Sequence, residues 1–135
     1  KETYVFDWYN GGSYNGWTRM GRNMVELWAN GAPTSTFAGQ TVSISGGAYD
    51  AYAVIAQASS KTEDRNMLPM VIGHKGVGGF LQGLPNNKIG RRKFAINGAG
   101  TSVIFSDTEY GNTYGGSTAE NSYIVPMYIY GVYLN

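Results

Sequence analysis

The chain has 135 residues, a formal net charge of +1 and no cysteine. Only 14% of its residues are charged, against roughly 25% in an ordinary soluble domain; that excludes nucleic-acid binding by bulk electrostatics, and the missing thiols exclude disulfides and thiolate metal sites. Twenty glycines and eleven tyrosines point instead to a turn-rich all-β protein, one domain over residues 1–135.

No window repeats apolar residues at i, i+3, i+4 and i+7 for three turns without Gly or Pro intervening. Strands are expected instead, the first over Tyr4–Tyr9. Trp17–Met20 and Val25–Trp28 follow, with the polar Gly21-Arg22-Asn23 as a turn between them. Next come Thr41–Ser45 and the apolar Ala51–Ala58, which suits a central strand. Met67–Gly73 carries Pro69, which removes a ladder donor and favours an edge or a strand start. Gly78–Gln82, Lys88–Asn97, Ser102–Phe105 and Tyr123–Tyr133 complete the set. Asn-Gly pairs fall at 10–11, 15–16, 30–31 and 97–98. Asn97-Gly98 is the strongest hairpin signal, since Asn-Gly suits a type I′ turn. About eight to ten short strands with regular turns predict an antiparallel sandwich or barrel. The stretch from Thr108 to Asn121 reads as a long loop of the kind that binds something.

Catalytic patterns are weak. His74 is the lone histidine and reads as structural or exposed. Gly73–Gly79 is glycine-rich but lacks the Gly-Lys-Ser/Thr ending of a phosphate loop. Asp107 and Glu109, at i and i+2, are the best carboxylate pair for a glycosidase or, with loop carbonyls, a calcium site. Such a pair more often faces water or caps a loop, so no catalytic residue, metal or cofactor is expected, and the chain reads as a non-enzyme.

Two segments combine aromatic rings with Asn and Asp, the chemistry that covers a sugar's C–H face and reads its hydroxyls. One runs from Asp7 to Trp17 and offers Trp8 and Tyr9; Trp8 and Trp17 read alternatively, and more readily, as core or interface residues flanking a hairpin. The other offers Asp107, Tyr110, Asn112 and Tyr114. Arg65, in the polar loop Glu63-Asp64-Arg65, is a further contact for a ligand. Lys88–Lys93 is the basic cluster: Arg91 and Lys93 share one strand face, and Arg92 points the other way. It reads either as a phosphate-binding patch or as a solvated edge strand whose cations block aggregation. The closing run Tyr123–Tyr133 is apolar on both faces, so both should be covered. Val125, Met127, Ile129 and Tyr133 form the face expected to meet another copy; the chain's own loop is the alternative cover.

The stretch Leu27–Val42, followed by Phe105-Ser106-Asp107 and by Ile124–Gly131, resembles the C-terminal modules of bacteriophage tail-fibre and baseplate receptor-binding proteins. The resemblance covers about residues 25 to 132. It implies a jelly-roll-like homotrimeric head, exposed on the virion and acting outside the cell. Its expected partners are the rest of the fibre or baseplate and a bacterial surface polysaccharide: a cell-wall glycan, teichoic acid or lipopolysaccharide. Neither nucleic acid nor membrane insertion is expected. The opening Lys1 is read as the start of the last part of a longer fibre protein. The competing readings are a trimerisation or decoration module without a ligand, and a glycan-degrading tailspike domain.

Overall fold

Along Ile89–Ile96 every second residue turns inward, and this period of two defines the strand at the centre of the larger sheet. The computed structural model describes residues 4–7, 16–19, 24–112 and 118–134, the first two segments by backbone alone. Among these residues the strands are β1 (Tyr4–Asp7), β2 (Gly16–Arg19), β3 (Met24–Ala29), β4 (Gln40–Ser43), β5 (Ala51–Ser59) and β6 (Val71–Gly73). They continue with β7 (Gly78–Gly83), β8 (Ile89–Ile96), β9 (Ser102–Phe105), β10 (Glu109–Gly111), β11 (Thr118–Ala119) and β12 (Tyr123–Val132). Two antiparallel sheets pack face to face as an all-β sandwich, and β1 and β2 form a separate pair.

The smaller sheet runs β3-β12-β5-β6. In the larger, β7 lies along one side of β8, while β10 and β9 share the other side. Arg91 opposes Glu109 near the start of β8, and Phe94 opposes Phe105 near its end. β9 and β10 are thus two halves of one line of pairing, broken at Ser106-Asp107-Thr108. β4 extends the β9 half and β11 the β10 half.

Three expectations are corrected here. The Thr108–Asn121 stretch is not one loop, because β10 and β11 enter the sheet. The basic run is not a solvated edge, because β8 is paired on both sides. Asn97-Gly98 does lie in the connection of a β8–β9 hairpin, as expected, but not as a type I′ centre: the left-handed residue is Gly100, at φ +69°. Asn97 instead works through its side chain: its Oδ1 accepts from the N–H groups of Thr101 at 2.8 Å and Ser102 at 3.2 Å. Asn suits this role because its short amide imitates a turn of backbone.

The core fills the gap between the sheets. Tyr52, Val54, Ala56 and Ile129 come from the smaller sheet, and Val42, Leu81, Phe94, Ile96, Val103 and Phe105 from the larger. Phe37 meets Phe105 edge-on at 5.6 Å, and Trp28 closes the group at 6.0 Å from Phe37. β12 departs from strict alternation. Pro126 opposes Ala56 and Ile129 opposes Val54, so one extra residue between them swaps the faces of the strand. The face read from simple parity therefore does not exist. Val125 and Ile129 are fully buried and Met127 nearly so, all covered by this chain itself, whereas Tyr133 is exposed. The cover expected from another copy is supplied from within at those three positions.

The least ordinary core residue is Arg92, which is 0% exposed. Its Nε donates to the carbonyl of Ile124 at 2.7 Å, Nη1 to that of Ser106 at 2.6 Å and Nη2 to that of Phe37 at 2.7 Å. Its guanidinium carbon also sits 5.2 Å from the centre of the Phe37 ring. Burial pulls its pKa down to about 10, partly offset by Asp107, so it remains a cation at neutral pH. Ile124 adopts φ +48°, costly for a β-branched residue. Its carbonyl meets Arg92, and the preceding carbonyl, of Tyr123, accepts from Thr108 Oγ1 at 2.7 Å.

Replacing Arg92 by Ala would orphan three carbonyls at about 1–2 kcal/mol each, so a loss of about 3–6 kcal/mol in urea unfolding is expected. Arg92→Lys should recover only part of it, since one ammonium cannot span three acceptors held in a fork. A loss below about 1 kcal/mol for Arg92→Ala would contradict this role.

Candidate functional site

Two surface depressions flank the β8–β10 pair. The larger is a cleft of about 480 Å³ lined by Ala58, Asp64, Asn66, Leu68, Leu84, Pro85, Asn86 and Asn87. One wall is the turn after β5, tied down by backbone bonds from Ala58 N–H to the Asn66 carbonyl at 2.8 Å and from Leu68 N–H to Ala56 at 2.9 Å. The other wall is the β7–β8 connection, a tight turn over Pro85–Asn87. Asn86 and Asn87 stand in succession at φ 53° and 61°. Asparagine tolerates that region better than any other ordinary residue, so the tandem pair forms this lip at little cost.

A ring stack joins the two walls. Tyr110 lies 4.2 Å from Tyr123 at 19°. The Tyr110 hydroxyl donates to the Pro85 carbonyl at 3.3 Å. Lys88 Nζ stands 5.6 Å from the Tyr110 ring, and Lys61 Nζ 5.8 Å from the Tyr123 ring. The hydrogen bond with Tyr110, then burial, pushes the Tyr123 phenol above its ordinary value of 10.0, so it stays neutral at physiological pH.

The smaller depression is a groove of about 260 Å³ on the outer face of the larger sheet, lined by Phe80, Arg91, Lys93, Ser106 and Glu109. Arg91 donates to Glu109 Oε2 at 2.8 Å and lies 4.7 Å above the Phe80 ring.

The residues singled out from sequence are dispersed. Tyr110 is half-buried beside the cleft. Exposed Asn112 follows Gly111, which pairs with Ile89 at the same end of the sheet. Arg65 belongs to the cleft's first wall, but its Nε donates to Gln57 Oε1 at 3.0 Å, and Gln57 in turn donates to the Pro33 carbonyl at 2.6 Å. Asp107 lies elsewhere, in the break between β9 and β10. Its Oδ1 accepts from Gly39 N–H at 2.8 Å and from Asn121 Nδ2 at 2.9 Å. It shares no face with Glu109, which sits on β10 opposite Arg91. Trp8, Tyr9 and Tyr114 lie outside the described residues. Sequence reasoning missed Asp64, Asn66, Asn86 and Asn87; the Leu84-Pro85-Asn86-Asn87 run was the available signal, a strong turn former.

Comparisons with protein-family models, curated proteins and solved structures found no match to this chain.

Asp107 has a proton-linked role. The Gly39 N–H, then the Asn121 amide and Arg92, hold its carboxyl below the usual 3.8. A carboxylate with a depressed folded-state pKa stabilises the fold above its unfolded-state value and loses that contribution as pH falls through the folded one. As pH falls below about 4, Asp107→Asn should therefore show a flatter decline in unfolding midpoint than the parent chain. Identical acid limbs would rule the linkage out.

Proposed function

We propose that this domain is the receptor-binding head of a bacteriophage tail fibre or baseplate, and that it holds a bacterial surface glycan without altering it. The cleft is the observation that carries the reading. Asn66, Asn86, Asn87 and Asp64 line it together with the apolar Ala58, Leu68, Leu84 and Pro85. Amides donate and accept together, which suits vicinal hydroxyls, and a carboxylate accepts from two of them. The apolar residues give the C–H face of a sugar an apolar surface. The volume falls within the roughly 300–1,000 Å³ of small-molecule sites. The likeness of Leu27–Val42 and Ile124–Gly131 to tail-fibre modules supplies the biological setting.

A site this shallow binds weakly by itself. Several copies on one particle raise the effective concentration and with it the avidity. Exposed Val25, Tyr133 and Leu134 lie at the end where β3 begins and β12 stops, which supports association through that end. Light scattering at micromolar concentration is expected to give three times 14.6 kDa; a stable monomer would remove the trimer from the proposal.

The cleft is tested on an array of bacterial envelope saccharides. Asn66→Ala and Asn87→Gly should each weaken binding by about fivefold to tenfold, the worth of one lost hydrogen bond. Glycine accepts positive φ, so Asn87→Gly removes the amide without straining the turn. Tyr110→Ala is the less informative change, because it also breaks the stack on Tyr123. Undiminished binding by both asparagine variants, with unchanged unfolding midpoints, would place the site elsewhere.

A further inference from the structure

The outer groove of the larger sheet has a use of its own. Cations on a strand ordinarily guard an exposed edge against pairing with another chain. β8 has no free edge, since β7 occupies one side and β9 and β10 the other, so that explanation fails for Arg91 and Lys93. Both point outward from the centre of a sheet, and Lys93 stands directly opposite Phe80, which is 42% exposed. Arg91 stands 4.7 Å from the centre of the Phe80 ring and pairs with Glu109 at 2.8 Å. Among the described residues the groove brings together two cations, Arg91 and Lys93, and one carboxylate, Glu109. Ser106 Oγ accepts from Lys93 N–H at 3.0 Å and donates to the Asp107 carbonyl at 2.9 Å, so it fixes the rim of the groove beside Lys93.

We propose that this groove is an anion-selective subsite for a saccharide carrying a phosphate or carboxylate substituent. The Lys93 ammonium is the primary contact, the Arg91 guanidinium the second, and the Phe80 ring the apolar neighbour of the adjoining carbon. The proposal rests on the glycan-binding reading above and narrows it from glycans in general to acidic ones. A planar guanidinium is pre-organised for a flat or tetrahedral oxyanion. Lys93 adds a charge whose stem is free to follow the ligand.

The test is an NMR titration of the isotope-labelled domain with glycerol 3-phosphate, methyl glucuronide and methyl glucoside. The two anions should shift the amides of Phe80, Lys93 and Glu109 saturably, whereas the neutral glucoside should leave them in place. Lys93→Gln should weaken both anions by about tenfold, the loss of one charge-assisted contact. The stronger of the two anions identifies phosphate or carboxylate as the natural substituent. Absence of anion-dependent shifts at the groove, or equal shifts in Lys93→Gln, would overturn the subsite. Asn66 and Asn87 report separately on the cleft: silence there with the glucoside would count against the glycan reading and leave the groove's result intact.

Discussion

Among the described residues one cation lies in the core, and it organises this fold. Arg92 reaches three backbone carbonyls on three distant segments: Phe37 before β4, Ser106 at the break between β9 and β10, and Ile124 at the start of β12. Burying a charge costs several kcal/mol unless its hydrogen bonds are made, and here the backbone itself makes them. The arrangement explains two irregularities together. An unbroken strand would pair its carbonyls along the ladder; the break turns that of Ser106 toward the guanidinium. The left-handed Ile124 turns its own carbonyl to the same group, and its side chain settles against Gly90, where an added Cβ would approach to 2.9 Å.

The consequences reach the surface. The break takes Asp107 and Thr108 out of the ladder, and Asn121 crosses to them, with its Oδ1 accepting from Thr108 N–H at 2.9 Å. This leaves β10 to run alongside the first half of β8, placing Tyr110 over Pro85 and Glu109 over Arg91. One wall of the cleft and one side of the groove thus both depend on where the pairing of β9 stops. Gln57, fully enclosed in β5, steadies the opposite wall through Arg65.

Much of the sandwich was legible from alternation and turns. Ala51–Ala58 read as central because it is almost wholly apolar, and Ser102–Phe105 followed from its hairpin signal. Arg92 was legible only by half: parity placed it opposite Arg91, but charge argues for water, and nothing local announces three waiting carbonyls. β10 and β11 were hidden by a Gly, Tyr and Asn composition that suits loops as well as edges. The closing strand was recognised and its faces were not, because a single bulged residue reverses every side chain beyond it. The cleft escaped for a different reason. Its side chains come from turns about twenty residues apart, and each asparagine alone looks like ordinary turn chemistry.

Those turns are held by their main chains. Asn66 carries its wall through its carbonyl, and Lys88 N–H closes the other turn on Pro85 at 3.2 Å. The side chains that face the cleft carry none of that framework. Exchange at Asp64 or Asn66 therefore alters the chemistry of the cleft at little cost in stability, while exchange at Arg92 or Gln57 does the reverse. Sequence drift in such a molecule is channelled: the surface can be rewritten over many generations while the scaffold beneath it stays fixed.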